Sequence, residues 1–148
     1  MKNFRPPSDF YKRDEQDAAV YFAHRATLRI FGDVLDFDQI SETLGLEPTA
    51  LHRKGETGSA TAEPWPHDMW AYTVETRESE PLYKHVDTLW ASLKPHLQYL
   101  LELKQETVLD VFLGYRTNSS HSGLEIPPRS LEMFVQLEIP FGLSVILA

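Results

Sequence analysis

The chain has 148 residues, of which 42% are hydrophobic, and a formal net charge of -8. A chain of this length buries about two-thirds of its unfolded surface, so we expect a single core. The acidic charge disfavours nonspecific nucleic-acid binding, because phosphate backbones attract basic surfaces. The sequence has no cysteine, which excludes disulfides and thiolate metal sites and fits a reducing cytoplasm.

The first 18 residues are polar, mixed in charge and without apolar periodicity. Such a segment has little apolar area to hold it in place, so we expect a flexible arm over residues 1–18 and one folded domain over residues 19–148. The start of the chain lacks the apolar stretch of a signal peptide, and no run of about 18 apolar residues follows. We therefore expect a cytoplasmic protein without a membrane segment.

The domain begins with patterns typical of a strand and a helix. Residues 25–31 alternate between apolar and polar positions, which predicts a strand with one buried face. Asp36 followed by Gln39 has the pattern of a helix N-terminus, and Gly45 supplies a C-terminal stop. The spacing therefore predicts a helix over residues 37–44.

The middle of the chain predicts a loop, a strand and a long helix. Residues 51–66 carry glycine and proline among small polar residues and are predicted to form a loop or an irregular hairpin. Residues 69–75 alternate and predict a second strand. Apolar residues then recur at helical spacing over residues 82–101, and Pro95 predicts a kink or restart within that helix.

The last third predicts a strand over residues 107–115, a short helix over residues 130–137 and a terminal strand over residues 142–148. This order of strands and helices predicts an α+β fold, with a mixed, mainly antiparallel sheet of about four strands and helices on one face. The arrangement is either ferredoxin-like or a duplicated strand-helix-strand unit.

Several stretches along the chain share a recognisable pattern. They are Ala-Thr-Leu-Arg-Ile-Phe-Gly at residues 26–32, Leu-Gly-Leu-Glu-Pro-Thr at residues 44–49, His-Arg-Lys-Gly-Glu at residues 52–56, the isolated Trp70 and the closing Leu-x-Val-x-Leu strand. Together they resemble the bacterial family catalogued as domain of unknown function 4279, over residues 25–147. The resemblance implies a bacterial setting and these domain limits, and it supplies no activity, cofactor or catalytic residue. A tyrosine expected near the last strand is missing, because the chain ends Leu147-Ala148.

The densest basic cluster of this acidic chain lies at residues 52–55, in the predicted loop. Basic side chains beside a glycine suit a carboxylate or a phosphate through charge-assisted hydrogen bonds. We therefore hypothesise a binding loop that acts with the polar face of the predicted sheet. The candidate binding residues are His52, Arg53, Lys54, Gly55, Trp70 and Arg29.

Two packing alternatives remain open for these residues. Arg53 or Lys54 can lie over Trp65 or Trp70 as a cation–π pair. Arg29, with Arg25 on the same strand, can instead form a cross-strand ion pair with Asp110.

No metal or cofactor motif is present in the sequence. The histidines and acids around the loop, His52, Glu63, His67 and Asp68, match no known ligand spacing. We expect no cofactor and no catalytic residues.

We expect a noncatalytic binding or regulatory module whose partner is a protein or a small anionic ligand. One version is an immunity-type protein that neutralises a toxin. Two other classes stay open: a small-molecule enzyme with His52 or His67 as acid–base and Arg53 or Lys54 holding an anion, and a structural homo-oligomer that pairs through an edge strand or a sheet face.

Overall fold

A computed structural model describes residues 21–148, so the predicted arm lies outside the described residues. Its sheet contains β1 (Phe22–Gly32), β2 (Ala50–His52), β3 (Asp68–Thr73), β4 (Val108–Thr117) and β5 (Phe141–Leu147). The strands lie in the order β2-β3-β1-β4-β5, and every neighbouring pair is antiparallel except β4 and β5, which are parallel. The predicted α+β fold with a mixed sheet is confirmed.

The helices are α1 (Phe37–Leu44), α2 (Leu82–Leu93), α3 (Leu97–Leu103) and α4 (Glu132–Leu137). A 3₁₀ turn at Lys94–His96 separates α2 from α3, so the break predicted at Pro95 is confirmed. From β1 to β4 the elements follow the β-α-β-β-α-β order, which α4 and β5 then extend. None of the helices within residues 21–148 is long and apolar enough to cross a membrane.

The prediction of about four strands was one strand short. The missing strand is β2, which lies at the start of the region predicted to be a loop. It spans three residues, too few to show an alternating pattern, and it is defined by its pairing with β3. The paired residues of β2 and β3 are not close in the sequence, so a local sequence pattern cannot predict their pairing.

The start of α1 confirms the predicted cap. The Asp36 side chain accepts a hydrogen bond from the Gln39 backbone N–H at 3.1 Å, and Gly45 takes the left-handed conformation with φ of 66° at the C-terminus. The helix buries Ile40 and Leu44 against the sheet.

Alternation along β1 divides the sheet into two faces. Ala26, Leu28 and Ile30 are completely buried in the core on the face that the helices cover. Arg29 and Phe31 point to the opposite face, because successive strand residues face opposite sides. Among residues 21–148, the helices therefore pack on one face of the sheet and leave the opposite face without a covering layer of helices.

Candidate functional site

The open face of the sheet contains a groove of about 740 Å³. Strand pairing brings its lining together, since residues directly opposite one another on neighbouring strands share a face. Arg29 lies opposite Ala71 of β3 and Asp110 of β4, and Thr27 lies opposite Phe112 of β4. The groove is thus lined by residues of four strands, β1, β2, β3 and β4, which lie far apart in the sequence and meet only in the folded sheet.

Arg29 lies in this groove as a bidentate ion pair with Asp110. Its Nε donates to Oδ1 at 2.7 Å and its Nη2 donates to Oδ2 at 2.7 Å, and these hydrogen bonds raise the pKa of Arg29 above its ordinary value. The predicted cross-strand pair is confirmed for Arg29, whereas Arg25 pairs with Glu78 at 3.3 Å. A guanidinium has five N–H donors, so donors remain on Arg29 for a ligand.

Aromatic rings flank this guanidinium. The Arg29 Cζ atom lies 5.2 Å from the centre of the Phe31 ring and 5.6 Å from the centre of the Phe112 ring. The groove therefore combines one cationic group with a mainly apolar surface.

One wall of the groove is a stacked pair of rings, His52 and Trp65. Their centroids are 4.1 Å apart and their planes differ by 3°. Backbone hydrogen bonds hold the loop at this point, because the Gly55 N–H donates to the Trp65 carbonyl and the Trp65 N–H donates to the Glu56 carbonyl, both at 2.8 Å. Trp65 keeps 40% of its surface exposed, so the loop presents an indole ring to a ligand.

Arg53 lies in a second, separate cluster around the buried carboxylate of Asp68. Arg53 Nη1 donates to Asp68 Oδ2 at 2.8 Å and to the Leu35 carbonyl at 2.7 Å, and its guanidinium lies 3.8 Å from the centre of the Phe37 ring. Asp68 also accepts the backbone N–H groups of Leu35 at 3.0 Å and Lys54 at 2.7 Å. We call these groups the Asp68 cluster.

The Asp68 cluster perturbs the acid strongly. The backbone N–H groups of Leu35 and Lys54, together with the Arg53 guanidinium, lower the pKa of Asp68 to about 2. The side chain of Asp68 is 4% exposed, so its charge is held by internal donors in place of water. The cluster ties the entry of α1, the loop after β2 and the start of β3 together.

The six predicted binding residues therefore separate into four environments. Arg29 and His52 line the groove. Arg53 and the backbone of Lys54 hold Asp68, and Gly55 makes the turn with φ of 88°. Trp70 is completely buried in the core and donates its indole N–H to Ser41 at 3.0 Å, so it is not a groove residue.

Arg53 makes a cation–π contact, as the packing alternative predicted, but the aromatic partner differs from the predicted one. Its cation–π contact is with Phe37, so the predicted pairing with Trp65 or Trp70 was wrong. The Lys54 Nζ lies 3.7 Å from Asp33 Oδ1, and the same oxygen lies 3.3 Å from His67 Nδ1. Both contacts are exposed, so solvent screens them.

Sequence reasoning missed the apolar part of the groove. Trp65 entered only as a packing partner, and Phe31 and Phe112 were not singled out. The available signal was the second face of the strand at residues 25–31, whose outward positions end at Phe31.

A further polar cluster lies on the covered face, at the far end of β1. The His24 ring stacks on Tyr115 at 4.9 Å and lies 6.3 Å from the His85 ring. Burial is the main cause that lowers the pKa of both histidines, which favours their neutral forms. Within residues 21–148, no group of three or more His, Asp or Glu side chains is arranged to hold a metal ion.

Comparison with known proteins gives a family match over most of the chain. A family model described as Domain of unknown function (DUF4279) matches residues 22–147. No curated protein and no solved structure matches the chain.

Proposed function

We propose that this chain, which belongs to the DUF4279 family, is a noncatalytic binding module that receives an anionic ligand in the groove on its open sheet face. The ligand has a carboxylate or similar anionic group joined to an aromatic or otherwise apolar body. It is a small molecule or a side chain of a protein partner.

The observation that carries this proposal is the composition of the groove. Its volume of about 740 Å³ lies within the range of roughly 300 to 1,000 Å³ typical of small-molecule sites. Remaining donors on Arg29 suit an anion. The exposed indole of Trp65 and the half-buried phenyl ring of Phe112 suit an apolar body, because aromatic rings prefer offset or edge-to-face contacts with other rings.

The Asp110 carboxylate favours specificity over strong general attraction. It fixes the plane of the Arg29 guanidinium at two atoms, so little side-chain freedom is lost when a ligand binds. The negative charge of Asp110 also compensates the positive charge of Arg29. An anionic ligand is therefore attracted mainly by the oriented N–H donors of Arg29 and less by a net positive charge. We therefore expect the apolar body to supply much of the affinity.

Two of the hydroxyl groups in the groove support a noncatalytic role. Thr27 and Thr73 lie opposite each other on β1 and β3, and their oxygens are 2.7 Å apart. A hydroxyl nucleophile needs hydrogen bonding to a general base, whereas these two hydroxyls bond to one another. The geometry of these two threonines therefore supports binding in place of attack by a hydroxyl nucleophile.

The direct test is nuclear magnetic resonance of the full chain with two carboxylate probes, benzoate and indole-3-acetate, and their uncharged amides. We expect both carboxylates to shift the Trp65 indole and Arg29 side-chain signals, with the amides weaker. Added salt should reduce the carboxylate shifts, because an ionic contact near the surface is screened.

Two variants show whether the shifts arise in the groove. In Trp65→Ala, which has no Trp65 indole signal to follow, the shift of the Arg29 side-chain signal should be lost, whereas Arg25→Gln, which removes a charge from the same strand outside the groove, should retain both shifts. If neither carboxylate shifts the groove signals at millimolar concentration, or if the shifts centre on Arg53 and Lys54, the proposal is wrong.

A further inference from the structure

In the part of the chain that the structure describes, the last strand, β5, lies at an edge of the sheet and has an unusual surface. It pairs with β4 on one side, and it contains neither a charged residue nor a proline. Its large apolar side chains are exposed by 42% to 65% of their surface: Phe141, Leu143, Val145, Ile146 and Leu147. Proteins normally protect edge strands with charges, prolines, bulges or a covering segment. Since β5 has neither charges nor prolines, its edge is suited to pairing with another strand.

The backbone of β5 defines which groups face the free edge. The Val111 N–H donates to the Pro140 carbonyl, and the Ala148 N–H donates to the Thr117 carbonyl. In a parallel ladder, alternate residues bond to a given neighbour, so the even-numbered residues of β5 bond to β4. The N–H and C=O groups of Phe141, Leu143, Val145 and Leu147 therefore point outward.

We propose that β5 pairs antiparallel with β5 of a second copy of this chain, about a two-fold axis at Ser144. In this register Leu143 lies opposite Val145 of the second copy, and Phe141 lies opposite Leu147 of the second copy. Every residue in these pairs has outward backbone groups, so each pair exchanges two N–H···O bonds.

The side chains fit the same register. On the covered face, Phe141, Leu143, Val145 and Leu147 of both copies form one uninterrupted apolar row. On the open face, the large Ile146 lies opposite the small Gly142 of the second copy. A two-fold interface needs a surface that is complementary to itself, and this strand satisfies that condition.

The distribution of charge permits a second copy at this edge. Two copies that each carry a net charge of -8 repel one another overall. Since β5 itself contains no charged residue, pairing through it places no like charges directly opposite one another. The opposite edge strand, β2, spans three residues and offers a much shorter ladder.

This pairing places both ligand grooves on one side of the dimer. A two-fold axis perpendicular to the sheet keeps each face on its own side, so the open faces of the two copies form one continuous surface. A bivalent partner can then engage both grooves at once, which raises its apparent affinity without new contacts.

The test is sedimentation equilibrium of the full chain, with two lysine variants. We expect the wild type to have twice the chain mass of 17.0 kDa. Val145→Lys, at a side chain already 58% exposed, should raise the dimer dissociation constant about tenfold or more, because two lysines then lie close across the axis. Val135→Lys, at a valine of α4 that is 73% exposed, is the matched control and should stay dimeric.

Hydrogen exchange of the Leu143 and Val145 amides completes the test. Slow exchange in the wild-type dimer and fast exchange in Val145→Lys support the pairing. A dimer that survives Val145→Lys places the interface elsewhere and overturns the proposal. A monomeric wild type also overturns it: protected amides in that monomer would mean that another segment of the same chain covers β5, and unprotected amides would mean that nothing does.

Discussion

Arg53 and Arg29 each pair with an aspartate, but the two pairs lie in very different surroundings. The carboxylate of Asp68, which Arg53 contacts, is 4% exposed and also accepts two backbone N–H groups. The carboxylate of Asp110, which Arg29 contacts, is 21% exposed and lies on the open face of the sheet. The Arg53 side chain is the more exposed of the two arginines, at 45% against 33%, so exposure of the arginine does not separate the pairs. They differ in the role of the carboxylate: Asp68 joins Arg53 to two backbone N–H groups and belongs to the scaffold, whereas Asp110 orients Arg29, which lines the groove. Whether an arginine is a candidate binding residue therefore depends on the structural role of the carboxylate that it pairs with, and not on whether it lies in a basic cluster.

The largest expected effect that separates the pairs is on stability. Asp68→Ala should lower the free energy of unfolding by about 2 to 4 kcal/mol, because it leaves two backbone N–H donors without their acceptor. Asp110→Ala is the matched control and should cost about 1 kcal/mol or less, because solvent reaches that pair. Urea unfolding of both variants measures the difference, and equal losses would show that the two pairs are equivalent.

Acid should distinguish the Asp68 cluster in the wild-type protein. The folded-state pKa of Asp68, about 2, lies below its ordinary value of 3.8. Its contribution to stability is therefore complete above the ordinary value and is lost as the pH falls from 3.8 towards 2. Wild-type protein should lose more stability than Asp68→Asn in this window, as measured by urea unfolding at a series of pH values. Since His24 and His85 are present in both forms, their titration cancels in the comparison. Parallel pH profiles would contradict the assignment.

Arg53 should contribute an intermediate amount. Arg53→Ala removes hydrogen bonds to Asp68 and the Leu35 carbonyl, and because the Arg53 side chain is 45% exposed, solvent screens both bonds, so their combined loss should cost about 1 to 2 kcal/mol. Asp68 keeps its backbone donors, so the loss should be smaller than for Asp68→Ala. Lys54→Ala is the control and should be nearly neutral, because Lys54 binds Asp68 through its backbone.

The same two variants test the binding-loop hypothesis drawn from the sequence. If Arg53 and Lys54 are structural, as their contacts indicate, benzoate and indole-3-acetate should shift the groove signals of both variants as they do in the wild type. Loss of those shifts without loss of stability would instead return the binding site to residues 52–55.

Much of the fold was predictable because its signals are local. The alternation around Leu28, the cap at Asp36 and the break at Pro95 each depend on residues close in the sequence, and each was found. The strand β2 was not, because its three residues form a strand only through pairing with β3. A local sequence pattern reflects interactions between residues that are close in the sequence. It could not predict the groove, because the groove forms through pairing of strands that are far apart in the sequence.

The candidate site shows the same limit more sharply. Arg29 and Asp110 are 81 residues apart, and their pairing was conditional on β1 and β4 being neighbours. The role of Arg53 depends on Asp68, 15 residues later, whose burial no local pattern indicates. From the sequence, the basic cluster at residues 52–55 was therefore the main candidate binding site. In the structure, Arg53 and the backbone of Lys54 hold the loop in place through Asp68.

Of the two ion pairs, the Arg29–Asp110 pair has the smaller expected effect on stability, and it is the more informative about function. A cross-strand ion pair contributes about 0.2 to 1 kcal/mol, so the double variant Arg29→Gln with Asp110→Asn, which replaces the ion pair by two neutral amides, should unfold at nearly the wild-type urea concentration. The same variant should lose the preference for benzoate over benzamide, because the amides lack the charge that strengthens the hydrogen bonds to a carboxylate. Weak binding of both probes through Trp65 and Phe112 should persist, since the apolar lining is unchanged. If the double variant still prefers benzoate, the anion is held by another group and Arg29 is a structural residue like Arg53. If it unfolds as easily as Asp68→Ala, the open face is as much a part of the scaffold as the Asp68 cluster, and the distinction between the two pairs fails.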